Sequence, residues 1–262
     1  MLLDHVISDS VRPHLLSAIA NARDLAGWTA FDATRHSEAQ RHFAAAERFA
    51  IEAGDSQLLA HVRYGQAKQM QHLRHNRDAL EILRAAHHQL DATPALTTIL
   101  RGAEAASRAA LGDWEGAQRA LDCSSDAFAD VDQLNEPEWL SFFDKGELLA
   151  QYGRVYRDWA RADRRRGAEA VRWVNDAIRA FGPQNARSTV LNQVGLASAY
   201  FLADAPDLAL EAGNTAKRQA GTLTSPRVIE RIANIHRDAA QHMHLPEVAD
   251  FVQSLPRPVS LA

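Results

Sequence analysis

Small and bulky residues recur along this chain at helical offsets. An Ala is followed four residues on by a larger residue and three further on by a small one. This occurs in Ala39-Phe43-Ala46, Ala79-Leu83-Ala86, Ala117-Leu121-Ser124, Ala170-Val174-Ala177 and Ala209-Gly213-Ala216. Successive anchors lie 40, 38, 53 and 39 residues apart, and a truncated sixth copy starts 40 further on, at Ala249. Steps of four and three place all three side chains on one helical face. The small ones let a neighbouring helix approach closely, and the larger one fills the gap beside them. Twelve residues before the anchor, on the preceding helix, four copies carry another small residue: Gly27, Ala67, Ala105 and Ala197. One tight crossing repeated at near-constant spacing predicts stacked helical hairpins.

Stop signals divide the chain accordingly. Gly54-Asp55, Gly112-Asp113 and Gly182-Pro183 read as helix ends, with Gly at the left-handed position. Pro94, Pro137, Pro206, Pro226 and Pro246 suit first helical turns, where the missing N–H costs nothing. The fourth copy is the weakest: its 53-residue interval holds extra helix through Tyr152–Tyr156, and the fifth copy has Gly213 where bulk is expected.

Composition agrees. Ala occurs 49 times and Leu 28, against 31 for Val, Ile and Thr together, and Ala and Leu lose least on entering a helix. No window shows the sustained alternation a sheet needs. With 46% hydrophobic residues in 262, the chain can bury a core. Net charge is −4, so no general polyanion-binding surface is indicated, and the single Cys123 excludes an internal disulfide and suits a reducing, cytoplasmic setting. No apolar run reaches the ~20 residues that span a bilayer, so no membrane partner is expected.

The small–bulky–small second helix and the small residue in the first resemble the tetratricopeptide repeat (TPR). A narrower resemblance is carried by Gly27-Trp28-Thr29-Ala30-Phe31-Asp32, by Arg35–Phe43 and Glu52–Asp55, and by His72-Leu73 with Arg77–Leu80. Glu136-Pro137-Glu138-Trp139-Leu140-Ser141-Phe142-Phe143-Asp144 adds to it. These stretches are similar to the TPR region of actinobacterial Xre-type regulators, which carry a helix-turn-helix before it. Only about twenty residues precede the first strong repeat helix here, too few for a unit of three helices. The resemblance therefore implies the sensing or docking half without the DNA-reading half, and no direct nucleic acid binding. The expected fold is all-α: a right-handed α-solenoid of about five to six TPR-like hairpins over residues 1–255, with a C-terminal tail at 256–262.

In such a stack the first helix of each pair lines the concave face. The inward positions are then Asn21, Asp24, Trp28, Phe31 and Asp32, followed by His61, Tyr64, Lys68, Gln71 and His72. Trp139, Phe143, Glu147 and Arg154 join from the fourth copy, and Val194, Ser198 and Phe201 from the fifth. Aromatic rings beside acids and amides make a groove for a peptide or protein segment. The alternative is that Trp28, Phe31 and Trp139 pack between hairpins. Asp24 and Asp32 weigh towards the groove, because an unpaired carboxylate is rarely buried, although a salt bridge to a neighbouring Arg remains open.

Other chemistry finds less support. Of the twelve histidines, His61 and His72 are three turns apart, about 16 Å, and no compact Cys/His/carboxylate set accompanies any pair, so no metal or other cofactor is expected. Arg157, Arg161, Arg164, Arg165, Arg166 and Arg172 interleave with Asp158, Asp163 and Glu169, which favours a solvated helix with internal pairs over a phosphate-binding line. There is no Gly-x-Ser-x-Gly elbow, phosphate-cradling Gly loop or His-Glu-x-x-His, and Cys123 by default fills a buried apolar place. The reading is a non-catalytic regulatory or sensor module that binds a peptide or protein segment in its groove. A self-assembling scaffold with an intramolecularly filled groove, and so a homo-oligomer, is the alternative; a helical-repeat enzyme ranks below both.

Overall fold

The computed structural model describes residues 8–87, 92–182, 185–221 and 225–256, and every regular element among them is helical. Five pairs follow one another: α1 (Arg12–Asp32) with α2 (His36–Ala53), α3 (Ser56–His72) with α4 (Asn76–His87), and α5 (Pro94–Ala110) with α6 (Trp114–Ala129). They continue with α7 (Lys145–Ala162) and α8 (Gly167–Ala180), then α9 (Ala186–Leu202) and α10 (Pro206–Ala220). Three short helices close the chain: α11 (Pro226–Ala233), α12 (Ile235–Ala239) and α13 (Pro246–Gln253).

The members of each pair pack on each other, and the first helices also pack in order, α1 on α3, α3 on α5, α5 on α7 and α7 on α9. Beyond α9 the next neighbours are α11 and α12. Every residue of the five small–bulky–small triplets is buried. The fit is closest around Phe43: a Cβ on Gly27 of α1 or Gly65 of α3 would stand 2.7 or 2.8 Å from its ring. That ring is wedged where two first helices meet, and only hydrogen at both positions leaves room for it.

Two irregular copies find their reasons. The 53-residue interval is taken up by a long connection, Asp130 to Asp144, containing a 3-10 turn at Glu138–Leu140, and by an α7 that runs about one turn further past its crossing than the other first helices do. The close approach therefore falls at Gly153, where a Cβ would meet Val174 at 2.7 Å, rather than twelve residues before Ala170. In the fifth copy the space beside Gly213 is filled by the Phe251 ring of α13, 2.5 Å from where a Cβ would sit. Ala249 does not repeat the anchor role; Val248, Phe251 and Val252 are the buried residues of α13. The tail expected from 256 lies, after Pro256, outside the described residues, as does Pro183 of the expected Gly182-Pro183 stop.

The turn inside four of the pairs is the same device. Thr34 (φ 60°), Arg74 (φ 65°), Gly112 (φ 82°) and Asp204 (φ 58°) are left-handed, each five residues before an anchor Ala. The next residue donates its N–H back over the helix end: Arg35 to Ala30, His75 to Met70, Asp113 to Arg108 and Ala205 to Tyr200, at 2.8–3.0 Å. This closes otherwise orphaned carbonyls. Asp55, Thr93, Asp113 and Asp144 then cap the N-termini of α3, α5, α6 and α7 through side-chain oxygens.

A β-branched residue is the costliest choice at a left-handed position. Thr34→Gly should therefore raise stability by about 0.5–1 kcal/mol, relief of the left-handed strain exceeding glycine's entropy. Thermal unfolding of the variant beside the parent chain measures it.

Candidate functional site

The α1–α3 end of the expected groove is occupied by the chain's own side chains. Asp24 is buried, with His61 Nδ1 3.1 Å from its Oδ2. The His61 ring in turn lies 4.6 Å from that of Trp139, which sits on the 3-10 turn rather than on a first helix. Trp28 is half-buried among Phe31, Phe43 and Tyr64, at 5.9–6.0 Å between ring centroids. Phe31, Phe143 and Phe201 are fully buried, whereas Asn21 is exposed. For these aromatics the alternative of packing between hairpins is what the coordinates show. Asp24 and Asp32 are not free carboxylates: Asp32 Oδ1 receives Arg187 at 2.5 Å and Arg227 at 2.8 Å.

Arg227 belongs to α11, 195 residues further along the chain from Asp32, so the last helices lie against the inner wall. Three contacts fix them there. The Arg227 guanidinium pairs with Asp32 and stands 4.5 Å over the Phe31 ring. Glu230 accepts from His72 Nε2 at 3.1 Å. Asp238 of α12 takes Arg161 of α7 at 2.8 and 2.9 Å. The apolar side of α11, Val228 and Ile232, is buried in the C-terminal core.

What stays open is a cavity of about 1120 Å³ bounded by α3, α5, α7, α9, α11 and α12. Its lining carries eight Lys and Arg side chains against two carboxylates, Asp158 and Glu230. On α7 the basic residues Arg154, Arg157 and Arg161 are spaced three and four apart, hence on one face. Lys68 and His72 come from α3, and Arg227 and Arg231 from α11. Among the described residues, Lys68, Arg154, Arg157 and Arg231 have no carboxylate in ion-pair contact; Arg157 is bonded only to the Gly153 carbonyl, at 3.2 Å.

The electrostatics follow from that crowding. Burial, reinforced by Arg154, Arg227 and Arg231, pushes the Lys68 ammonium well below its ordinary value, against the pull of Glu147. Burial, with Arg154, Arg227 and Arg157, acts downward on Arg231, and burial with Arg161 brings Arg157 to about 10. Arg161 differs. Burial lowers it, but Asp238 and Asp158 outweigh burial and raise it. Glu147 accepts from Ser188 at 2.7 Å, and burial raises its carboxyl. Guanidinium keeps its proton in proteins, so for the arginines the downward push is repulsion held in the fold.

The sequence named Lys68, His72 and Arg154 for this wall, and Val194 and Ser198 line it too. It placed Arg157 and Arg161 in a solvated stretch, and internal pairs are present at Arg161–Asp158, Arg165–Asp163 and Arg166–Glu169. Yet the three-and-four spacing of Arg154, Arg157 and Arg161 was a legible signal that one face of α7 is basic. Arg227 and Arg231 gave no comparable signal, because nothing in the local pattern says that α11 turns inward. Cys123 is exposed rather than buried. Among the described residues, no three metal-ligating side chains converge, and no helix is long and apolar enough to cross a membrane. No protein-family model, curated protein or solved structure matches this chain.

The His72–Glu230 contact gives α11 a pH dependence. Burial lowers His72 below its ordinary 6.5, the Glu230 hydrogen bond opposes, and Arg231 and Arg227 add to the lowering. The imidazole is therefore neutral at neutral pH and donates from Nε2, while the Glu230 carboxyl is held below 4.5 by that bond. An unfolded histidine protonates first, so stability present above 6.5 declines as pH falls towards the folded value. Glu230 adds a second loss below 4.5. Hydrogen exchange of α11 should accelerate as pH drops from neutral to about 5 after correction for intrinsic rates, and His72→Gln should flatten that step.

Proposed function

We propose that this chain is a non-catalytic regulatory binding module. In this reading its TPR-like hairpins stack as a right-handed solenoid, and the inner wall recognises a helical segment of a peptide or protein partner. The observation that carries the reading is the docking of α11 and α12 on that wall through Arg227–Asp32, Glu230–His72 and Asp238–Arg161. A wall that holds one helix by complementary charges is built to hold another of the same pattern. Arg227, Glu230 and Arg231 occupy positions i, i+3 and i+4; a partner helix with Arg, Glu and Arg at that spacing fits the same acceptors. The resemblance to Xre-type regulators supports a role in regulation, and the solitary Cys123 supports a cytoplasmic setting. Exchange of the resident helix for a partner's would be the switch.

The test is competition in trans. A fluorescent peptide of residues 225–243 is titrated into the parent chain and into Arg227→Glu, whose own α11 meets Asp32 with a like charge. Reversing the charge of this half-buried pair weakens the docking of α11, so the variant should expose the wall and bind the peptide at least tenfold more tightly, with circular dichroism unchanged. Failure of the peptide to bind either protein would remove the inner wall as a recognition surface. The second reading, a self-assembling scaffold, draws on the same intramolecular filling; an oligomer independent of concentration in light scattering would favour it.

A further inference from the structure

We infer that the cavity between α3, α7 and α11 is a binding site for a multiply phosphorylated small molecule, held by Lys68, Arg154, Arg157 and Arg231. The site is independent of the segment-binding reading: it rests on the space and charge that remain once α11 is in place.

Four observations converge. The cavity, about 1120 Å³, lies just above the ~300–1,000 Å³ usual for small-ligand pockets. Four half-buried cationic groups lining it, Lys68, Arg154, Arg157 and Arg231, have no carboxylate partner among the described residues, nor has the exposed Arg74, whereas Arg161 and Arg227 beside them are paired. These four come from three elements distant in sequence, α3, α7 and α11, so their convergence belongs to the tertiary fold and not to one basic helix. Finally, the chain is acidic overall at −4, so a cluster of this sign is concentrated against the protein's own average.

The chemistry of the occupant follows. Several cations with no internal counter-ion call for a ligand bearing more than one negative charge, and guanidinium forks match phosphate oxygens in pairs while a lysine adds a point charge. Four unpaired cations exceed what one phosphate monoester satisfies. Trp114, stacked at 5.5 Å on Trp159, also lines the cavity and offers a ring face to a base. Two sources share the chemistry: an inorganic polyphosphate and a nucleoside polyphosphate. Because Arg231 and Arg227 ride on α11, a bound anion ties that helix to α3 and α7.

Lys68 supplies a signature. The groups facing it are Tyr64 and His72 on its own helix, Arg154 and Glu147 on α7, and Arg227, Glu230 and Arg231 on α11. In the empty cavity burial and the arginines push its ammonium down; an anion beside it favours the charged form and works against that push.

The experiment is calorimetric titration of the full chain with tripolyphosphate, with ATP, and with hexaglutamate. Tripolyphosphate should bind, weaken steeply with salt and raise Tm. ATP binding more tightly than tripolyphosphate assigns the site to a nucleotide, and equal or weaker binding assigns it to polyphosphate itself. Lys68→Met and Arg231→Gln should each weaken tripolyphosphate at least tenfold while raising the Tm of the empty protein, because each removes an unpaired buried cation. A merely structural role predicts a lower Tm in both. Absence of tripolyphosphate binding to the parent chain, binding unchanged in both variants, or hexaglutamate binding more tightly than either phosphate compound would overturn the assignment. None of these outcomes depends on whether the 225–243 peptide binds.

Discussion

Everything in this fold depends on how closely one helix can approach the next. At each crossing a methyl group or a hydrogen faces the partner, and a single larger side chain seals the space beside it. Phe43 between Gly27 and Gly65 is the tightest instance. Because the approach is set by absent side-chain atoms, adding one carbon at either glycine drives it into an aromatic ring, and no rotamer of the newcomer avoids this. Repetition of that contact aligns the first helices in order and fixes which of their residues face inward.

That alignment has an electrostatic price. Residues that a single helix would scatter into water are gathered on one wall, and α7 contributes three arginines from a single face. The wall meets the problem in two ways. Towards α12, Asp238 and Asp158 neutralise Arg161; towards α1, Asp32 neutralises Arg187 and Arg227. Between them the repulsion is left standing. Glu104 on α5 shows the opposite arrangement in the same molecule. Burial works to raise its carboxyl, yet His87, Arg108 and Arg101 together bring it to about 2.

How far the sequence reaches can be judged residue by residue. The triplets Ala39-Phe43-Ala46 to Ala209-Gly213-Ala216 are all buried, because local periodicity and tertiary burial are here the same fact. The left-handed turns at Gly54 and Gly112 were legible for the same reason; those at Thr34, Arg74 and Asp204 were not, since their side chains argue against the conformation the turn imposes. At the wall, Lys68, His72 and Arg154 follow from helical phase. Asp24, Phe31 and Asp32 have that phase too, but their partners, His61, Arg227 and Arg187, come from distant helices. Pairing at a separation of 195 residues is set by how all the intervening helices pack, which no window of sequence contains. The fate of Gly213 is similar: its missing bulk is supplied by Phe251 from outside the repeat.

The same separation shapes how the molecule assembles. Each hairpin closes over a few tens of residues and can form early, whereas the clasp between α1 and α11 waits until every intervening pair has stacked. Loop-closure entropy makes it one of the costliest contacts to close. The half-open cavity is bordered by that clasp, so unlatching of one short helix would widen it without melting the hairpins that form its floor.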